Sequence, residues 1–133
     1  MTTTTLLILL FTAHFLADYT HLSTNWMLSA KRFGEPLLPI LCHALVHGVL
    51  MGIVLIYLPY LLWIKLILFQ VITHFIIDVL KGKVNKYFPT VQSPANKIHW
   101  IVFGFDQLLH AIVIILMVHG IHETLMPNLQ HFN

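Results

Sequence analysis

Four long apolar runs, at about 5–22, 37–58, 60–84 and 98–122, make up most of this chain, and only short polar joints separate them. A helix needs roughly 20 apolar residues to cross the hydrocarbon core of a bilayer, so each run has the length of one crossing. Charged residues are 9% of the 133 positions, against about 25% in soluble domains. The expected fold is therefore all-α: a polytopic membrane protein with one domain over 1–133, built as an antiparallel four-transmembrane-helix bundle. Ser23, Thr24 or Asn25 can cap a short interfacial helix through Trp26 to Lys31. Pro59 marks a tight hairpin between runs two and three, Pro89 and Pro94 mark a loop, and the tail from Glu123 to Asn133 is expected to fray. No basic residue precedes the first run and no small-residue cleavage pattern follows it, so it reads as a retained span.

Orientation follows from the cations. Lys31, Arg32, Lys81, Lys83, Lys86 and Lys97 lie at the joints between runs one and two or three and four, and Lys65 alone lies on the other side. The positive-inside rule then puts both long joints in the cytoplasm and both termini outside. Tyr57, Tyr60 and Trp63 suit an outer aromatic belt, and Trp26, Tyr87, Phe88 and Trp100 an inner one. A net charge of +2 with no basic strip excludes nucleic acid as a partner, leaving the lipid bilayer and, as an open question, a second copy of the chain.

Inside the apolar runs sit four polar pairs at a spacing of four residues: His14 with Asp18, His43 with His47, His74 with Asp78, and Asp106 with His110. Residues i and i+4 share a helix face, so each pair can grip one object. Antiparallel counting brings all four pairs to a similar depth in the cytoplasmic half. The pairs extend into stripes: His21 and Asn25 on run one, Gln70, Lys81 and Asn85 on run three, His99 on run four. An Asp at the bilayer centre costs about 2.5–3.5 kcal/mol even on lenient scales. Lys81 is the one cation near the cluster, and Lys31 is expected to snorkel or to meet a lipid phosphate.

These terms point to one or two divalent ions, zinc first, with manganese or iron as alternatives, held by His14, Asp18, His43, His47, His74, Asp78, Asp106 and His110. With Cys42 as its one cysteine, the chain can form neither an internal disulfide nor a thiolate-rich site. Asp18, Asp78 or Asp106 is a candidate catalytic base, and Lys81 a candidate partner for an anionic substrate. Gly48 and Gly52 form a small-x-x-x-small packing seam, while Gln107 is a weak candidate and His119, His122 and His131 read as solvent- or interface-exposed.

The strings HFLADYTHLSTNWMLSAKR and HFIIDVLK, the H-x-x-x-H of the second run and DQLLH of the fourth resemble a bacterial integral membrane family known as domain of unknown function 3307. The resemblance spans His14 to His110 and implies a bacterial inner-membrane protein. The polar helical motifs are similar, more distantly, to inner-membrane-associated metal-dependent hydrolases, which implies phosphoester or lipid-like substrates. Two rival functions use the same residues: a divalent-metal or proton transporter, and a non-catalytic scaffold with an internal polar seam. A di-iron oxidase is disfavoured, because Glu35 and Glu123 lie outside the cluster.

Overall fold

The computed structural model describes residues 1–125, and His131 with the rest of 126–133 lies outside them. Among the described residues five helices follow in order: α1 (Thr3–Tyr19), α2 (Asn25–Phe33), α3 (Leu37–Val54), α4 (Tyr60–Tyr87) and α5 (Lys97–Leu125), with a 3-10 turn at Pro89–Gln92. Among the described residues there is no strand. Glu123 to Leu125 belong to α5, so the start of the tail is helical.

Helix ends follow local chemistry. Thr2 caps α1 by accepting from the Thr5 amide, and Thr24 caps α2 by accepting from Met27. Gly34 ends α2 in the left-handed region at φ +67°, where glycine carries no steric penalty. Pro59 precedes α4, and the chain between Val54 and Tyr60 is the expected hairpin. The first run leaves the helix at Tyr19, three residues early, and the second leaves it at Val54 instead of Leu58. His21 and Asn25 consequently leave the α1 face, and both are exposed.

α3, α4 and α5 are long and apolar enough to cross a membrane, whereas α1 is an apolar helix of 17 residues. The helices α1, α3, α4 and α5 close into a ring, each touching the next, and α2 lies against α3 and α4. Neighbours run antiparallel, because one end of the ring joins Leu6 and Leu10 of α1 with Met51 of α3, Leu66 of α4 and Met117 and Ile121 of α5. At that end Thr3 Oγ1 and His122 Nε2 meet at 2.9 Å. The outward surfaces carry Ile8, Phe15, Val49, Ile53, Leu68, Ile72, Ile76, Leu80, Phe105, Leu108 and Ile115, all exposed. The other half of the interior holds imidazoles and carboxylates. Apolar outside and polar inside reverses the pattern of a water-soluble bundle and matches one solvated by lipid.

Two glycine contacts fix how elements approach. A methyl on Gly48 would lie 2.5 Å from Val71 Cγ2 and one on Gly52 3.3 Å from Trp63, so the small-residue seam is the α3–α4 contact. Trp63 also donates its indole N–H to the Gly52 carbonyl at 2.9 Å, which adds a polar tie to the same contact. Tyr57 and Tyr60 remain exposed, as do Trp26, Tyr87, Phe88 and Trp100. The second contact is Gly82 of α4 against Gly34: a methyl on Gly82 would overlap the Gly34 backbone and stand 2.6 Å from the Lys31 carbonyl oxygen. α2 is pressed backbone to backbone onto α4.

Glu35 adds a surface clamp across the same joint, accepting from Lys83 at 2.8 Å and from Lys86. Those bonds hold its carboxyl down to about 2, from an ordinary value of 4.5. A depressed carboxyl stabilises the fold above its ordinary range and loses that contribution as pH falls toward the folded value. Glu35→Gln should lower the melting temperature slightly near neutrality, the pair being exposed and screened, and the difference from wild type should vanish between about pH 4.5 and 2. Thermal melts across that window check it.

Candidate metal centre

All eight paired residues point into one half of the ring. His43, His47, His74 and Asp78 are fully buried, and His14, Asp106 and His110 nearly so. The five imidazoles are contiguous: His47 and His74 have ring centroids 3.7 Å apart, His74 and His110 4.2 Å, and His14 and His47 4.8 Å. The i,i+4 spacing does what it was expected to do on every helix, because each pair projects from the interior stripe of its own element.

Among the described residues, two groups have donor atoms close enough to share an ion. In the first, Asp18, His43, His47 and His74 each offer one atom, all within 4.8 Å of one another; in the second, His74, Asp78 and His110 do the same. The first is the tighter. His43 Nε2 lies 3.0 Å from Asp18 Oδ1, His47 Nε2 lies 3.5 Å from that oxygen, and the two Nε2 atoms face each other at 3.2 Å. In the second, Asp78 Oδ2 is 3.3 Å from His74 Nε2, and Asp78 Oδ1 is 3.9 Å from His110 Nε2. His74 belongs to both. His14 and Asp106 fall outside both groups: His14 stands 3.3 Å from Asp18, and Asp106 is held from the other side by Lys81 at 3.1 Å and Gln107 at 3.1 Å.

Buried polar atoms normally find hydrogen-bond partners, and those that do not carry a penalty. Here His14 Nδ1, His47 Nδ1, His74 Nδ1, His110 Nε2, Asp78 Oδ1, Asp106 Oδ1 and the Gln70 side-chain oxygen have none. So many orphans in one place make sense if a ligand completes them. Ser23 partners His43 Nδ1 at 3.4 Å, which leaves His43 Nε2 free to face the cluster, the usual arrangement for a ligating imidazole.

Lys31 corrects the sequence reading. Far from meeting lipid phosphate, its ammonium reaches from α2 into the cluster, 2.8 Å from Asp18 Oδ1, 2.8 Å from His43 Nε2 and 3.2 Å from Asp78 Oδ2. Burial opposes its charge, but Asp78 and Asp18 outweigh that and hold it above the ordinary lysine range. Lys81 is therefore not the one cation nearby. Three carboxylates face two ammonium groups, which leaves one unit of negative charge with the imidazoles neutral. A signal did exist: Gly82, flanked by Lys81 and Lys83 inside a helical run, marks a close backbone approach, and that approach is what brings α2 and its lysine inward.

His99 is also set apart from the cluster. Its Nδ1 meets the Val91 carbonyl at 2.9 Å, so it ties α5 to the 3-10 turn. Next to the cluster, between α1, α2, α4, α5 and that turn, lies a cavity of about 310 Å³ whose lining includes Asp18, Lys31, Arg32, Lys81, Asn85 and Gln107.

Neither curated proteins nor solved structures yield a match to this chain. A family model described as a protein of unknown function, DUF3307, matches residues 6–133. The chain, with its four helical His/Asp pairs inside that matched region, belongs to the DUF3307 family.

Proposed function

We propose that this protein is a membrane-embedded, metal-dependent hydrolase acting on an anionic phosphoester or lipid-like substrate. The observation that carries the reading is the triangle of Asp18 Oδ1, His43 Nε2 and His47 Nε2, with edges of 3.0, 3.2 and 3.5 Å. Ligands at the usual 2.0–2.2 Å from a tetrahedral zinc ion stand about 3.3 Å apart. One carboxylate and two imidazoles from two helices thus already have the spacing of a zinc coordination face. Zinc fits this nitrogen and oxygen donor set best, with manganese or iron as alternatives. The second group, around His74, Asp78 and His110, offers room for another ion.

In this reading α1 is the fourth membrane span, α2 lies at the interface, and the cations at the joints put the cluster end of the ring in the cytoplasmic half, with both termini outside an inner membrane. Bound metal would lower the pKa of a coordinated water toward neutrality. Asp106 suits the role of base: Lys81 and Gln107 hold one of its oxygens while the other has no partner. It takes a proton of the water as the water oxygen bonds to phosphorus, the ester P–O bond breaks, and Asp106 returns that proton to the departing alcohol oxygen. Lys81 offsets the charge that builds on the phosphoryl oxygens. Transport fits less well, because α4 and α5 run uninterrupted past the cluster.

Detergent-purified protein supplied with zinc or manganese should hydrolyse p-nitrophenyl phosphate esters, lose turnover to a chelator, and slow by about 100-fold or more in Asp106→Asn. Metal-loaded protein that turns over no phosphoester, or turnover indifferent to chelator, contradicts the assignment.

A further inference from the structure

We propose that the cavity beside the cluster binds a phosphate group, and that Lys31 is shared between this cavity and the metal centre, so that cation and phosphate each strengthen the binding of the other. The cavity of about 310 Å³ is lined by three cationic side chains, Lys31, Arg32 and Lys81, and by the amides of Asn85, Gln92 and Gln107. Against them stands one carboxylate in the lining, Asp18. Among the described residues Arg32 pairs with no carboxylate; its Nε donates to the Gln92 side chain at 3.1 Å. A guanidinium, two ammonium groups and neutral amides are the donor set that suits a dianionic phosphate, which accepts many hydrogen bonds at once. His99 completes the polar lining, and Tyr19, Leu28, Val102 and Phe103 form the rest of the walls, which suits a phosphate carried on an apolar group as well as a free one.

Lys31 links the two sites by position. Its ammonium touches the Asp18 oxygen and the His43 nitrogen that form one edge of the coordination triangle, at 2.8 Å from each. A divalent ion bound to those two atoms and an ammonium in that place cannot coexist without strong repulsion. The same side chain lines the cavity, so it can turn there about its own bonds while the backbone of α2 stays pressed on Gly82. Cation entry therefore sends a positive charge into the cavity, and a phosphate there gives that charge a partner. The coupling is reciprocal, as linkage requires. It rests on the metal-centre reading above.

The test uses the full chain in neutral detergent, with manganese as the cation and phenylphosphonate as a soluble phosphate mimic. Saturating phenylphosphonate should raise the manganese affinity of wild type about tenfold, within the range usual for coupled sites. Lys31→Met should bind manganese more tightly than wild type without phenylphosphonate and should show no coupling. Arg32→Gln, which leaves the cluster intact, should weaken phenylphosphonate binding while keeping wild-type manganese affinity in its absence. Nanodiscs of phosphatidic acid that reproduce the coupling, where pure phosphatidylcholine does not, identify a lipid headgroup as the source; coupling with phenylphosphonate alone identifies a soluble phosphate. Manganese bound with the same affinity at every phenylphosphonate level, or coupling that survives in Lys31→Met, overturns the proposal and leaves the metal centre standing. No manganese bound by wild type under any condition overturns both.

Discussion

His74→Ala should abolish metal retention by the purified protein. His74 is the one residue common to both candidate ligand groups, it is fully buried, and its ring lies between those of His47 and His110. Loss of an outer-sphere partner alone typically weakens metal binding 10- to 100-fold, so removing a ligand shared by two groups should cost more than about 100-fold in affinity. His21→Ala is the matched control, since His21 is exposed in the turn after α1; its metal content should equal that of wild type. Elemental analysis and competition with a chromogenic chelator read both variants. Melting curves recorded with a chelator present separate ligand loss from unfolding. The fold should survive, because Leu10, Met51, Ile114 and Met117 pack at the opposite end of the ring. Asp78→Asn should act more selectively, since Asp78 belongs to the second group alone.

Gly82→Ala should be the most damaging small substitution in the chain. Its methyl would meet three backbone atoms, the N and Cα of Gly34 and the Lys31 carbonyl oxygen, and backbone cannot rotate away as a side chain can. The cost should reach about 3 kcal/mol, the upper part of the usual range for overpacking. The variant should have a reduced melting temperature, and α2 should stand away from α4. Lys31 would then leave Asp18 and Asp78, exposing two buried carboxylates without their cation. Gly104→Ala is the comparison: a methyl there meets nothing within 4 Å, and replacing a mid-helix glycine by alanine gains a little helix propensity. Equal melting temperatures for the two alanine variants would refute the packing argument.

The pairs were legible in the sequence because they depend on one local rule, the i,i+4 face of a helix, applied four times. Their convergence was legible too, since antiparallel counting needs only the lengths of the runs. Which members face one another at ligand distance was not. His14 and Asp106 obey the same spacing as Asp18 and His110, yet each stands about a turn along its helix from its pair-mate and falls beside the two groups. A helical repeat gives a face to within a fraction of a turn, and coordination depends on less than an ångström.

Lys31 was missed for a different reason. Its placement is a tertiary result, requiring α2 to fold back over α3 and α4 and to lie against Gly82. By hydropathy it resembles any cation at a membrane surface, and without it the three carboxylates of the cluster have one ammonium group beside them instead of two. The stripe on run one was over-extended for a related reason: His21 and Asn25 keep helical spacing in the sequence, but α1 stops at Tyr19.

X-ray absorption at the metal edge of wild-type protein loaded with one equivalent of zinc shows whether the buried cluster coordinates an ion. The spectrum should contain nitrogen and oxygen neighbours at about 2.0–2.1 Å with the outer scattering of two or more imidazoles and no sulfur. A spectrum of hydrated zinc without imidazole scattering, or zinc that dialyses away from wild type as readily as from His74→Ala, would contradict that coordination.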